Sequence, residues 1–291
     1  MKNIVITILA LIVGSSISYG FAGSLMYMEY QNVAEGSFND IKETVPDRLP
    51  DNVIFPGKPK QVALFYGKGT WGTGRNQLKN FLYSHGRSYK VIYEKDILNG
   101  SLNKGGFHTL IMPGGKSWIY NENLGATGAQ EILKFVNAGG NYIGICAGAF
   151  YATSHRQGPT PTPVNYGIGL LTGIAIDGTA LKMTPFKTGM SDYKFLIPSF
   201  KNTYRTLLLG GPALLYTDAE AKAKRIQVYS VFAKDLPAMI AFEFGKGRVF
   251  LSGPHLEVEE SQSIIGLKYR DPDSEWPIVE YVFATHFKNP R

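Results

Sequence analysis

From Gln61 onward, short apolar runs alternate with stretches whose apolar positions recur at helical spacing. Val62-Ala-Leu-Phe-Tyr66 is continuously apolar and stops at Gly67, the pattern of a short strand buried on both faces. Leu78, Phe81 and Leu82 share one side of a helix predicted over 74–84. Tyr89 to Tyr93 reads as the next strand, and Thr109-Leu-Ile-Met112 as a third, halted by Pro113-Gly114-Gly115. Ile132, Leu133, Phe135 and Val136 predict a helix from Gly128 to Ala138, ended by Gly139-Gly140. Asn141-Tyr-Ile-Gly-Ile145 is a fourth strand and runs straight into Cys146. This rhythm predicts a single-domain α/β fold, with a mostly parallel sheet covered by helices on both faces.

The second half has a different texture. Residues 156–200 hold Pro159, Pro161, Pro163, Pro185 and Pro198 among glycines and short apolar runs. They read as loops and short strands, and as a lid or wall insertion beside a pocket. Gln227–Phe232, Ala238–Phe244 and Arg248–Ser252 follow as strands, and Trp276 to Phe287 as a closing helix with Pro277 in its first turn. The domain is placed at 59–291. Residues 23–58, polar and punctuated by Pro46, Pro50 and Pro56, form an extension before it.

Ahead of that extension, Lys2, an apolar run from Ile4 to Val13, and small residues through Gly23 follow the order of a secretory signal. Gly20 and Ala22 occupy the small positions before a cut, so residues 1–22 are expected to be removed and the protein to be periplasmic or secreted. The alternative is a membrane anchor over residues 3–28, since that stretch carries no charge before Glu29 and could span the ~30 Å hydrocarbon layer. The net charge of +7 is spread without a Lys/Arg cluster, which argues against nucleic acid as a partner. The expected partner is a small-molecule substrate, and the oligomeric state is left open. With one cysteine, Cys146, the chain cannot staple itself by a disulfide. No zinc-type spacing of Cys or His appears, so neither metal nor cofactor is expected.

Gly144-Ile-Cys-Ala-Gly148 has the form Gly-x-nucleophile-x-Gly between a predicted strand and a predicted helix. Small flanking residues permit the sharp turn that projects a nucleophile beyond a strand's carboxyl end, and a following helix N-terminus favours thiolate. A proton shuttle is then required. His85, His108 and His286 read as a helix-end, a pre-strand loop and a final-helix histidine, and a helix after Cys146 would carry His155 away. His255 follows a strand ending at Gly253-Pro254, and Glu257 is two residues on, suited to orient its ring. Gly114, Gly115 and the amide of Ala147 are candidate donors to a substrate oxyanion. The bland alternatives are an inert core thiol, a solvated loop histidine and an ordinary strand-ending turn.

Met112-Pro-Gly-Gly115, Gly139 through Tyr151 and Gly245 through Glu257 together resemble the glutamine amidotransferase-like domain at the amino terminus of some biotin–protein ligases. The resemblance implies a flavodoxin-like sheet and a Cys-His-Glu triad, with Cys146 as nucleophile, His255 as base and acid, and Glu257 as orienter. The chain reads His255-Leu256-Glu257 where amidotransferases carry His-Pro-Glu. Neither a synthetase nor a ligase part is expected in 291 residues, so biotin transfer is not inferred.

Three functions fit these residues: a cysteine hydrolase or amidase working through a thioester, a binding module that keeps the pocket without turnover, and thiol redox sensing at Cys146. Trp118, Tyr120 and Tyr151 are candidate pocket aromatics. Gly67-Lys-Gly-Thr-Trp-Gly-Thr-Gly74 lacks a phosphate-loop ending and reads as a rim of the site.

Overall fold

The computed structural model describes residues 47–158, 162–177, 189–201, 203–232, 235–259 and 274–287. The predicted export segment lies outside them. In chain order, Asn52–Val53 is β1, Gln61–Phe65 β2, Gly72–Ser84 α1, Tyr89–Ile92 β3, Glu94–Leu98 α2 and Ser101–Lys104 α3. Phe107–Met112 is β4, Ser117–Asn137 α4, Asn141–Ile145 β5, Ala147–Ala152 α5 and Thr153–Gln157 β6. Val164–Asn165 is β7, Leu171–Ile176 β8, Gly189–Phe195 β9, Thr203–Leu208 β10, Ala213–Leu215 β11 and Asp218–Lys224 α6. Gln227–Val231 is β12, Pro237–Phe244 β13, Gly247–Ser252 β14 and Trp276–Tyr281 α7, which continues as one π-helical turn over Val282–His286.

The large sheet runs β1-β3-β2-β4-β5-β14-β13-β12-β9-β10. Five strands, β3-β2-β4-β5-β14, are mutually parallel, in the order of a flavodoxin-like sheet. The expected α/β class holds, and the sheet is mixed: beyond β14 every neighbour is antiparallel. The switch has a local cause. Only Gly245 and Lys246 separate β13 from β14, and a two-residue connection can join only antiparallel strands. A second sheet, β11-β8-β6-β7, shares no strand pairing with the first and packs on it through Leu171 and Leu214.

Alternation along the central strands divides the core in two. Val62 and Leu64 pack with Leu78, Phe81 and Leu82 of α1 and with Ile278, Val279 and Val282. Ala63 and Phe65 face the other way, onto Tyr120, Leu124 and Ile132 of α4. Both faces of β2 are therefore covered, which is why its sequence is apolar without interruption. The extension is tied on as well. Lys79, 1 % exposed, reaches Asp47 at 2.7 Å and Asp51 at 2.6 Å, and the Tyr89 hydroxyl donates to the Pro50 carbonyl.

Three local expectations change. The helix predicted from Gly128 begins at Ser117, because Gly125 (φ 54°, ψ −160°) breaks it and makes its first half read as a loop. The helix after Cys146 is only six residues long, so His155 lies on β6. His108 lies within β4 and not before it. Residues 156–200, expected as loops and short strands, include in their described part β7 and β8 of the small sheet and β9 of the large one.

Candidate active site

Strand β5 ends at Ile145, and its parallel neighbour β14 ends at the same level, with Ser252 opposite Ile145. Parallel pairing in this register brings whatever follows the two strands together at one carboxyl edge. Cys146 follows the first, and Gly253-Pro254-His255 the second.

Cys146 adopts φ 49°, ψ −101°, a conformation that costs an ordinary residue on the order of 1–3 kcal/mol. Packing fixes it there. A side chain at Gly148 would collide with the Met112 carbonyl, and one at Gly144 would come within 2.6 Å of the Gly148 carbonyl oxygen. The two glycines let the backbone fold back on itself around the cysteine. The Cys146 amide donates to the Ser252 carbonyl at 2.8 Å, and the Gly148 amide to that of Pro113 at 3.1 Å.

His255 is wholly buried and Glu257 nearly so, at 0 % and 1 % exposure. Nδ1 of His255 lies 2.7 Å from Oε1 of Glu257, and the His255 backbone amide donates to the Leu207 carbonyl at 2.8 Å. Burial alone lowers the pKa of this imidazole. The Glu257 carboxylate opposes burial most strongly, followed by the charge of Cys146 and hydrogen bonds to both partners, and the net effect is a rise to about 10. Nε2 has no well-directed hydrogen-bond partner among the described residues. The thiol, although near enough to act on the ring, directs its own proton at the Leu209 carbonyl, 3.7 Å away. Cys146 itself is 3 % exposed.

The amides of Gly114, Gly115 and Ala147 have no acceptor among the described residues. Gly114 also serves a steric role, since a Cβ there would strike Cε1 of His255. The turn around it is held from beneath by Tyr120, whose hydroxyl donates to the carbonyls of Pro113 (3.1 Å) and Gly114 (3.3 Å). Tyr120 and Tyr151 are fully buried and pack edge to face, so they support the site instead of lining an opening. Trp118 is half-buried, beneath the Lys116 ammonium.

Residues 61–158 match the family model of the biotin-protein ligase N-terminal domain. The matched stretch begins at β2 and takes in Gly114, Gly115, Cys146 and Ala147; His255 and Glu257 lie beyond it. An uncharacterized protein of Chlamydia muridarum is 29% identical over 160 residues, covering 51% of this chain and 60% of that protein. The biotin–protein ligase of Schizosaccharomyces pombe is 26% identical over 184 residues, covering 60% of this chain and 29% of the ligase. The chain thus spans less than two thirds of the length of either relative. Among solved structures, a protein of Thermoplasma acidophilum provisionally assigned as part of a GMP synthase superposes with a TM-score of 0.47 at 12% identity, covering 70% of this chain and 87% of its own. A β-galactosidase from Bacillus circulans does so at 0.41 and 11%, covering 68% and 29%.

Trp71 lies within the predicted rim, Gly67–Gly74, though nothing in the sequence assigned it a separate role. Its indole stands edge-on to the His255 ring at 5.0 Å, and its other neighbour is Gly74, where a Cβ would come within 2.7 Å of Glu257 Oε1. The rim loop is tied to the strand-ending turn, with Thr70 bridging Gly115 and the Trp71 amide donating to the Gly114 carbonyl at 2.8 Å. Leu209, over the sulfur, was missed. Among the described residues, His, Cys, Asp and Glu nowhere gather in a group of three able to hold a metal ion, and no helix is long and apolar enough to cross a membrane.

Proposed function

We propose that the protein is a cysteine-dependent hydrolase or amidase that opens a small amide or carbonyl substrate through a thioester. One observation carries the reading: Cys146 is held in a strained backbone turn beside a buried imidazole whose far nitrogen is bonded to Glu257 at 2.7 Å. Nucleophile, base and orienter are the three parts such chemistry needs.

In this reading His255 Nε2 takes the thiol proton and Sγ attacks the substrate carbonyl carbon. The amides of Ala147 and of Gly114 or Gly115 donate to the oxyanion. His255 then returns its proton to the leaving group, leaving a thioester. Water attacks that carbonyl with His255 as base, and release of the acid restores the thiol. Glu257 keeps a proton on Nδ1, so that Nε2 is the nitrogen turned to the sulfur. The second reading, a non-catalytic binding module, draws on the 3 % exposure of Cys146 and its engagement with the Leu209 carbonyl.

Incubation with a panel of small amides and esters, followed by intact-mass measurement, separates the two. Turnover predicts a product and a transient acyl adduct, both lost in Cys146→Ala. A binding module predicts that ligands still raise the melting temperature of Cys146→Ala, with no adduct from any substrate in wild type.

A further inference from the structure

We infer that Arg75 recognises an acidic group on the substrate, so that the molecule opened at Cys146 is a small anionic amide or ester. This rests on the reading of Cys146 as the reacting group.

Arg75 lies in the first turn of α1, which starts at the same carboxyl edge of the sheet as the nucleophile. Its guanidinium donates to Thr70 Oγ1 at 3.1 Å and lies 4.7 Å over the Tyr66 ring. Thr70 is the residue that bridges Gly115, so the cation sits one residue away from the candidate oxyanion turn.

None of the ion pairs among the described residues involves Arg75, and its Nε is buried without an acceptor. Beside it, Trp71 is only 6 % exposed, and its indole N–H also has no partner among the described residues. Leaving a buried donor unmade costs about 1–3 kcal/mol, more when it is charged. Two such donors, on residues one helical turn apart and with the Trp71 ring against His255, are explained by an acceptor that arrives with the substrate. The first turn of α1 holds no acidic residue that could serve instead. A guanidinium with an indole N–H suits a carboxylate, which accepts on both oxygens.

The test uses two alkylating probes of nearly equal size, iodoacetate and iodoacetamide, on the full chain, whose one cysteine is Cys146. In each, Sγ displaces iodide from carbon and the thiol proton passes to His255. Rates are divided by those of the same probe with glutathione. Wild type should favour iodoacetate by about ten-fold after this correction, the worth of one charge-assisted hydrogen bond. Arg75→Gln should abolish the preference while leaving the iodoacetamide rate within about two-fold, and Arg75→Lys should restore part of it. Lys90→Gln, an exposed change on β3, should leave the preference intact. An equal preference in wild type and Arg75→Gln with a reactive Cys146 overturns the role of Arg75 alone. A loss of preference in Lys90→Gln overturns it in favour of diffuse charge. A thiol inert to both probes overturns it together with the reading of Cys146. Alkylation needs no turnover, so failure to find a hydrolysed substrate leaves the Arg75 result standing.

Discussion

Glu257→Gln keeps the shape of the acceptor facing His255 and removes its charge. The wild-type imidazole carries a pKa raised to about 10 although burial pushes it the other way, so the rise belongs to its partners, Glu257 before Cys146. Glu257 and Cys146 together therefore outweigh burial by on the order of 5 kcal/mol, at about 1.36 kcal/mol per pH unit over the rise from 6.5. Loss of the Glu257 charge should cost ~3–5 kcal/mol, as for one member of a buried pair.

The sign follows from linkage. A folded-state pKa above the unfolded value makes protonated His255 stabilising at pH values below about 6.5, and that stabilisation is lost as the pH rises towards 10. Wild type should therefore weaken in urea between pH 7 and 10. Glu257→Gln should be less stable at pH 7 by roughly 3 kcal/mol and should lose less stability across the same window. Histidine-selective ¹⁵N NMR titration gives the second readout, with the His255 titration moving to lower pH. His108 and His286 are both pushed down to about 4, chiefly by burial, so their titrations fall well outside the window. An unmoved His255 titration in Glu257→Gln, or a wild type whose stability is level from pH 7 to 10, would refute the electrostatic account of the pair.

Gly114→Ala places a Cβ against Cε1 of His255, so thiol alkylation and any hydrolysis should fall by about 10²-fold with an unchanged far-ultraviolet circular dichroism spectrum. Gly148→Ala meets the Met112 carbonyl, a backbone atom that cannot swing aside, and should lower the urea-derived stability by about 1–3 kcal/mol or more. Lys79→Met fills the same buried space without the charge; because Asp51 is 61% exposed and Asp47 35%, the pairs themselves contribute little, under about 1 kcal/mol. That variant should keep its melting temperature within a few degrees, yet allow limited proteolysis between 47 and 53, and resistance equal to wild type would show that the strand pairing of β1 holds the extension alone.

The features legible in the sequence were those with short-range signatures. Gly144 and Gly148 announce the turn at Cys146 because they flank it directly in the chain, although the carbonyl that crowds Gly148 is that of distant Met112, and Gly253-Pro254 marks the end of β14 just before His255. The roles of Arg75 and Leu209, and the contact of Trp71 with His255, were illegible because they are created by packing between distant segments. Leu209 shows this most clearly. Its carbonyl covers the thiol only because the residue two before it, Leu207, pairs with His255 as an antiparallel bridge some fifty positions away. The cover of Cys146 and the backbone of His255 therefore hang from one short ladder. A motion that uncovers Cys146 by lifting Leu207 would break the hydrogen bond of the His255 amide and displace the ring from Glu257. Gly210 (φ 72°), with open space where a Cβ would stand, follows directly after Leu209. Rotation about Leu209 and Gly210 can release the thiol while the bridge at Leu207 stays closed, so access to Cys146 and alignment of His255 need not compete.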